Sequence, residues 1–409
     1  MANAAIAKPK KQRNYALDFW RVFATLAVFW GHSRNFWPGG KKCLAEAFFT
    51  QGNILGIFLV LTGYLMMKSY ESKKRRGLTN VPARTQAVDY MKSRYLGLWP
   101  AFIVGELLGF GLEVLRAFTG QESKLVMFMN GESYTIADVG LNFLTSISEF
   151  LGLDSIGVLS SLRGGTSLWN APLWYISAIF VAGYFLYYLL AKNEDLFTGF
   201  IAPAIVALVG GAWCLGEMNL YVRDGLLFGL VNNTLVNGIW GICLGAVCYK
   251  PYERYRQMKV EGKARALLTI LHLLMGGAII FWMVTDSHHV IDEIFLDIWV
   301  AITLIFAVGG HDGFTKKVMD RPIFGKIGEF SLYFFICHMP VLQFCKSYVP
   351  IEGTPTNFYL FLLVTLAIDC VFGSVAMFIC KKGIQPALYK FDAWVRESTE
   401  SAKVAEKAA

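Results

Sequence analysis

Charge is the first thing this chain lacks. Asp, Glu, Lys and Arg make up 17% of its 409 residues, against about 25% in soluble globular domains. Its hydrophobic share is 55%, above the roughly 45–50% of such domains. Together these exclude an ordinary soluble domain. Signatures of several chemistries are missing too. There is no Walker loop, no GxGxxG ahead of a helix, no HExxH and no GxSxG, so redox, kinase and zinc-hydrolase readings have no footing. No CxxC pair occurs; seven of the eight cysteines fall in or at the ends of apolar runs, as free, inert thiols do. Only Cys43 lies well out in a polar loop. No internal repeat is visible, which weakens a transporter of the inverted-repeat kind. No metal ligand set is expected.

What is present fits an integral membrane protein. Thirty-two Phe and eleven Trp suit the aromatic belts of a bilayer protein. Ten apolar stretches near the ~20 residues needed to cross a hydrocarbon core run over 15–36, 52–68, 95–117, 172–191, 198–215, 226–249, 265–285, 290–309, 327–348 and 357–380. The segment before the first, MANAAIAKPKKQRN, is basic and polar, and the apolar run after it is too long for the core of a cleavable signal. With both termini in the cytoplasm, twenty-nine of the 38 Lys and Arg fall inside and eight outside, Arg21 being within the first span. The positive-inside rule therefore orients the chain. The net charge of +8 reflects these alternate loops rather than one basic patch, so no nucleic-acid partner is expected.

The expected organisation is a basic cytoplasmic tail (1–14), one all-α domain of about ten transmembrane helices (15–390), and a polar cytoplasmic tail (391–409). Residues 118–171 form an outside segment too long for a plain turn. Its apolar stretch IADVGLNFLTSISEFLGL suits a helix lying at the interface. A Gly/Ser-rich hinge, Gly157 to Ser167, then leads to Trp169, Asn170 and Trp174.

Polar residues inside spans are expensive and mark candidate sites. In Tyr15–Trp37, the eleven steps from Arg21 to His32 turn a helix about 20° past three full turns, so the two share a face about 16 Å apart. Asp18 and Thr25 lie one turn to either side of Arg21 on that face. Arg21 alone could snorkel, and His32 alone could cap its helix; together they suggest a working face, with a histidine suited to proton transfer near neutral pH. His338 shares a face with Ser331, whereas Glu329 points away from it; a bond to a neighbouring helix and a functional role are both open. Glu113 and Arg116 suit a structural pair, while Glu106 and Asp369 lack evident partners. The run Lys73, Lys74, Arg75, Arg76, with Lys92 and Arg94 beyond, is either a topology signal contacting anionic lipid or a landing site for phosphates. Trp169 and Trp174 are either belt anchors or platforms for sugar rings.

These residues resemble a family. LDFWRVFATLAVFWGH looks like the first helix of the acyltransferase-three family, membrane O-acyltransferases that modify cell-surface glycans, whose motif is an arginine, ten residues, then a histidine. GIFLVLTGYLM (56–66) is similar to its second span, with Thr62-Gly63-Tyr64 for the usual Ser-Gly-Tyr. YMKSRYLGLWP (90–100), PLWYISAIFVAGYFLYYL (172–189) and GEFSLYFFICHMPV (328–341) resemble its third, tryptophan-led and late histidine spans. Two positions depart from the pattern: Gly97 stands where a second arginine often follows Arg94, and Ile179 where many members carry a glutamate.

The resemblance implies a plasma (inner) membrane enzyme that takes an acyl group, most simply acetyl, from cytoplasmic acyl-CoA. The acceptor is a hydroxyl of a cell-envelope polysaccharide or lipid-linked glycan. It further implies His32 as general base or transient acyl carrier, with Arg21, held by Asp18, stabilising donor or oxyanion charge. Arg94, Lys92 and Tyr64 are expected at the acyl-CoA, and Trp169, Asn170, Trp174 and His338 at the acceptor. The competing class is a proton-coupled transporter or flippase of a lipid-linked or small polar substrate, using the same polar stripe.

Overall fold

In the computed structural model, residues 13–34, 54–128, 133–156, 169–215, 226–227, 231–284, 290–349 and 355–408 are described. The Gly157–Ser167 hinge, Cys43 and most of the 1–14 tail lie outside them. The architecture is helical: α1 (Tyr15–Arg34), α2 (Gly56–Lys74), α3 (Ala83–Phe118), α4 (Ile136–Thr145), α5 (Trp174–Lys192), α6 (Ala202–Cys214), α7 (Asn233–Val247), α8 (Tyr249–Gln257), α9 (Gly262–Val284), α10 (Val290–Gly309), α11 (Pro322–Tyr348), α12 (Pro355–Phe378) and α13 (Gln385–Ala408).

A helix occupies part of each of the ten apolar stretches, and among the described residues six helical runs are long and apolar enough to cross a membrane. Helix α1 falls short of that hydropathy because it carries Asp18 and Arg21 among its apolar residues. Boundaries shift where local chemistry overrides hydropathy. Helix α3 starts twelve residues before its apolar stretch, directly after Pro82, whose fixed φ suits the approach to a helix. The stretch expected over 226–249 is helical only from Asn233: Asn232 Oδ1 accepts from the Thr234 N–H and hydroxyl, both at 2.9 Å. This N-cap ends a short hairpin in which Leu226–Leu227 pairs with Val231–Asn232. The C-terminal tail continues α12 as helix α13 through a π-turn over Ile379–Ile384, and a second π-turn, Phe197–Ile201, leads into α6. Each precedes a proline, Pro386 or Pro203, whose missing N–H breaks the i→i−4 ladder.

Around the centre, α1 packs on α11, α3 on α5 and α11, and α2 on α7. The α2–α7 crossing is close because both helices present glycine. A Cβ on Gly63 would lie 1.9 Å from the Ile242 carbonyl oxygen, and one on Gly245 would lie 2.0 Å from the Val60 oxygen. Small residues bring membrane helices within van der Waals reach in this way. Helix α4 has a reversed amphipathicity. Ile136 and Leu144 are 85% and 60% exposed, whereas Asp138, Asn142, Ser146 and Glu149 in and just beyond it are buried. A Thr135–Asp138 capping box starts it, and the Trp99 indole donates to the Phe150 oxygen at 3.0 Å. An apolar outer face over a polar inner one suits hydrocarbon rather than water.

Candidate active site

The Arg21 face is built on a buried carboxylate. Asp18 is 2% exposed; its Oδ1 accepts from Arg21 Nη1 at 3.0 Å and its Oδ2 from Arg13 Nε at 2.6 Å. Gly328 on α11 makes room for it, since a Cβ there would come 2.8 Å from the Asp18 Cβ. The hydrogen bond to Asp18 holds the Arg13 pKa above its ordinary value, with burial opposing. A carboxylate gripped by two guanidiniums fixes both of them in direction.

These cations line two adjoining hollows. The first, about 630 Å³, is lined by Arg13, Arg21, Lys68, Lys73, Arg76 and Arg94 against Asp18 and Asp89. The second, about 420 Å³, shares Arg13, Arg21, Leu65 and Arg94 with it. It runs deeper between α1, α2, α3, α5 and α11, where Leu61, Leu98, Ile176 and Ile179 are among its walls. Ile179, at the family's glutamate position, therefore lies on an apolar stretch of wall. The first hollow is a strong anion site and the second suits an extended, mostly uncharged group.

Beyond the second hollow lie two histidines. The rings of His32 and His338 are 5.4 Å apart and inclined at 36°, although neither lines either of these two hollows. His338 is 1% exposed. Its Nδ1 faces the Phe335 carbonyl oxygen and therefore carries the hydrogen, leaving Nε2 as a lone-pair acceptor. No partner for that Nε2 is found among the described residues.

The expected residues are thus brought together unevenly. Asp18, Arg21 and Arg94 meet at the hollows, and His32 meets His338. Lys92 does not join them; it pairs with Asp392 of α13, because two residues along a helix turn it to the side opposite Arg94. Tyr64 lines neither hollow; it is buried beside the first, donating to Glu253 Oε1 at 2.9 Å and accepting at 3.1 Å from Nζ of Lys68, which does line it. Trp169 is fully buried: its indole donates to Ser146 Oγ at 2.9 Å and its ring meets Phe110 edge-on. It has no open face for a sugar. Trp174 is half-buried against the core.

Asn170 is buried at a break in the α11 ladder. Pro340 inside α11 lacks the N–H that would satisfy the Ile336 carbonyl four residues earlier. Asn170 Nδ2 supplies the missing donor at 2.6 Å and also reaches the Gly105 oxygen at 3.2 Å, while its backbone N–H donates to Glu106 Oε2. The side chain thus braces the proline-interrupted turn that carries His338. The sequence signal for this is Pro340, four residues after Ile336. Arg13 and Lys68 escape the sequence reading; Arg13 precedes the helix, so no periodicity links it to Arg21.

A helical membrane protein with a basic hollow leading into its interior is what this fold and these side chains define. The chain belongs to the acyltransferase-three family: the family profile, described as an acyltransferase domain, matches residues 14–374. No curated protein and no solved structure gives a significant match. Among the described residues, no group of three or more His, Cys, Asp or Glu could hold a metal ion.

Proposed function

We propose that this acyltransferase moves an acyl group, most simply acetyl, from cytoplasmic acyl-CoA to a hydroxyl of a cell-envelope polysaccharide or lipid-linked glycan. It would act from a plasma membrane crossed ten times with both termini in the cytoplasm, residues 15–390 working as one unit. The observation that carries this reading is the pair of hollows. The wider one is rich in Arg and Lys and includes Lys73, at the end of α2, and Arg76, just beyond it, both in the segment that the charge distribution assigns to the cytoplasm. That suits the phosphates of CoA. The narrower one suits the pantetheine arm and leads toward His32 and His338.

In this scheme Arg13, Arg21, Lys68, Lys73, Arg76 and Arg94 anchor the donor. Arg21 lies about 16 Å along α1 from His32, so it holds donor charge rather than the oxyanion at the histidines. His32, supported by the neighbouring His338, takes the proton of the acceptor hydroxyl. The acceptor oxygen attacks the thioester carbonyl, the C–O bond forms and the C–S bond breaks. The departing thiolate of CoA then takes the proton from the imidazolium. Asn170, Trp169 and Trp174 are assigned a positioning role, holding the wall behind His338.

The test is release of CoA thiol from acetyl-CoA by purified protein in lipid nanodiscs, coupled to mass analysis of surface glycans from cells with and without it. His32→Ala should abolish transfer while the protein stays folded and still binds donor. Full activity in that variant refutes the role of His32; wild-type protein inert toward every acyl-CoA refutes the enzyme reading.

A further inference from the structure

The narrower hollow ends at three aromatic rings from three helices: Phe58 in the first turn of α2, Tyr175 in the first turn of α5, and Phe335 in the middle of α11. Phe58 stacks on Tyr175 with centroids 5.4 Å apart and 26° between planes. Phe335 meets Phe58 at 5.8 Å and Tyr175 edge-on at 5.3 Å. Each ring touches the other two, which closes a triangle. On its far side, Phe335 lies 5.1 Å from the His338 ring. On the α11 side, therefore, a single ring separates the end of the hollow from the histidine pair.

The three rings are not held alike. Phe335 is 1% exposed and sits in mid-helix. Phe58 is half-buried at the start of α2, where its N–H closes a short turn onto the Leu55 oxygen at 3.0 Å, whereas Tyr175, in the first turn of α5, is 5% exposed; Phe58 is the least buried of the three. A swing of one such ring is an ordinary rotamer change, and the opening it makes is one phenyl ring wide.

We infer that Phe58, Tyr175 and Phe335 form an acyl-length filter: a ring partition that a short acyl group passes and a longer one does not. The inference rests on the hollows being the donor site. The carrier's charged portion is held at the basic end, and the acyl end must cross the rings to reach His32. An apolar wall discriminates by fit, and one methylene too many changes selection by about 10–200-fold.

The experiment compares thiol release from acetyl-CoA and hexanoyl-CoA by wild-type protein and by Phe58→Ala in nanodiscs. Phe58→Leu serves in its place should the alanine variant fail to fold. Loss of the ring should raise the hexanoyl-to-acetyl ratio at least about tenfold, and Phe58→Trp should lower acetyl turnover. Tyr175→Phe should leave the ratio unchanged, since the ring rather than the hydroxyl forms the barrier. A second readout needs no turnover. In a cysteine-free background carrying His32→Cys, a membrane-impermeant thiol reagent applied from the cytoplasmic side should label position 32 at least about tenfold faster when Phe58 is also replaced by Ala. A folded Phe58 variant with wild-type acyl preference overturns the filter, as does unchanged labelling. Wild-type protein inactive toward both donors is a separate result, which overturns the donor assignment itself.

Discussion

Adding one methyl group at Gly63 tests the geometry on which the narrower hollow, the proposed donor site, depends. In Gly63→Ala the new Cβ would lie 1.9 Å from the Ile242 oxygen and 2.8 Å from the Ala246 nitrogen, both backbone atoms that cannot rotate aside. Real Cβ contacts essentially never fall below 3.0 Å, so α2 and α7 must separate by about 1 Å. Overpacking of this kind costs about 1–3 kcal/mol, and an unyielding backbone puts the change at the upper end, a fall in Tm of several degrees. The displacement also reaches the proposed donor site, because Phe58, Thr62 and Leu65 of α2 line the narrower hollow. A misplacement of about 1 Å in a positioning wall costs about 100-fold in rate. The assay is heating in detergent followed by size-exclusion chromatography, with thiol release measured on the surviving fraction. Gly97→Ala is the control: nothing lies within 4 Å of its Cβ, and alanine in mid-helix should add about 0.5–1 kcal/mol. If Gly63→Ala melts with the wild type and turns over donor normally, the close crossing of α2 and α7 is refuted.

Two further substitutions separate anchoring from bracing. Asp18→Asn removes the buried anion between Arg13 and Arg21, whose side chains are 45% and 35% exposed. Solvent at the guanidiniums limits the loss to about 1–2 kcal/mol, but donor turnover should fall about 10–100-fold as Arg21 loses its direction, whereas Arg13→Ala should keep most activity; equal loss in the two variants would contradict this. Asn170→Ala leaves the Ile336 and Gly105 carbonyls without their buried donor, a cost of about 2–4 kcal/mol, so thermal stability should drop while acceptor preference is kept. Altered acceptor preference at wild-type stability would instead make Asn170 an acceptor-binding residue.

Hydropathy foretold a helix at every one of the ten apolar stretches, and the shared face of Asp18, Arg21 and Thr25 followed from helical periodicity alone. Local capping escaped that reading, as at Asn232, where a side-chain bond ends the hairpin inside an apolar run. The candidate site was legible along α1 because its spacing lies within one helix. It was not legible across helices. Lys92 and Arg94 look equivalent in sequence, yet one pairs with Asp392 and the other lines both hollows. Tyr64 and Gly63 are adjacent in a motif, and their uses differ: the glycine allows a helix crossing and the tyrosine meets Glu253.

By itself, then, the sequence determined the class of protein, the helix positions, the family and the polar face of the first helix. Each of these depends on composition or on residues within a few turns of one another, where 1.5 Å of rise and 100° of rotation per residue suffice. Tertiary structure alone decided that His32 meets His338, that Asn170 completes the ladder broken by Pro340, and that rings from α2, α5 and α11 close the hollow. Those contacts join residues up to about 300 positions apart. Helix packing sets them, through where glycine admits a neighbour and where a proline leaves a carbonyl to be satisfied, and no local pattern encodes that choice.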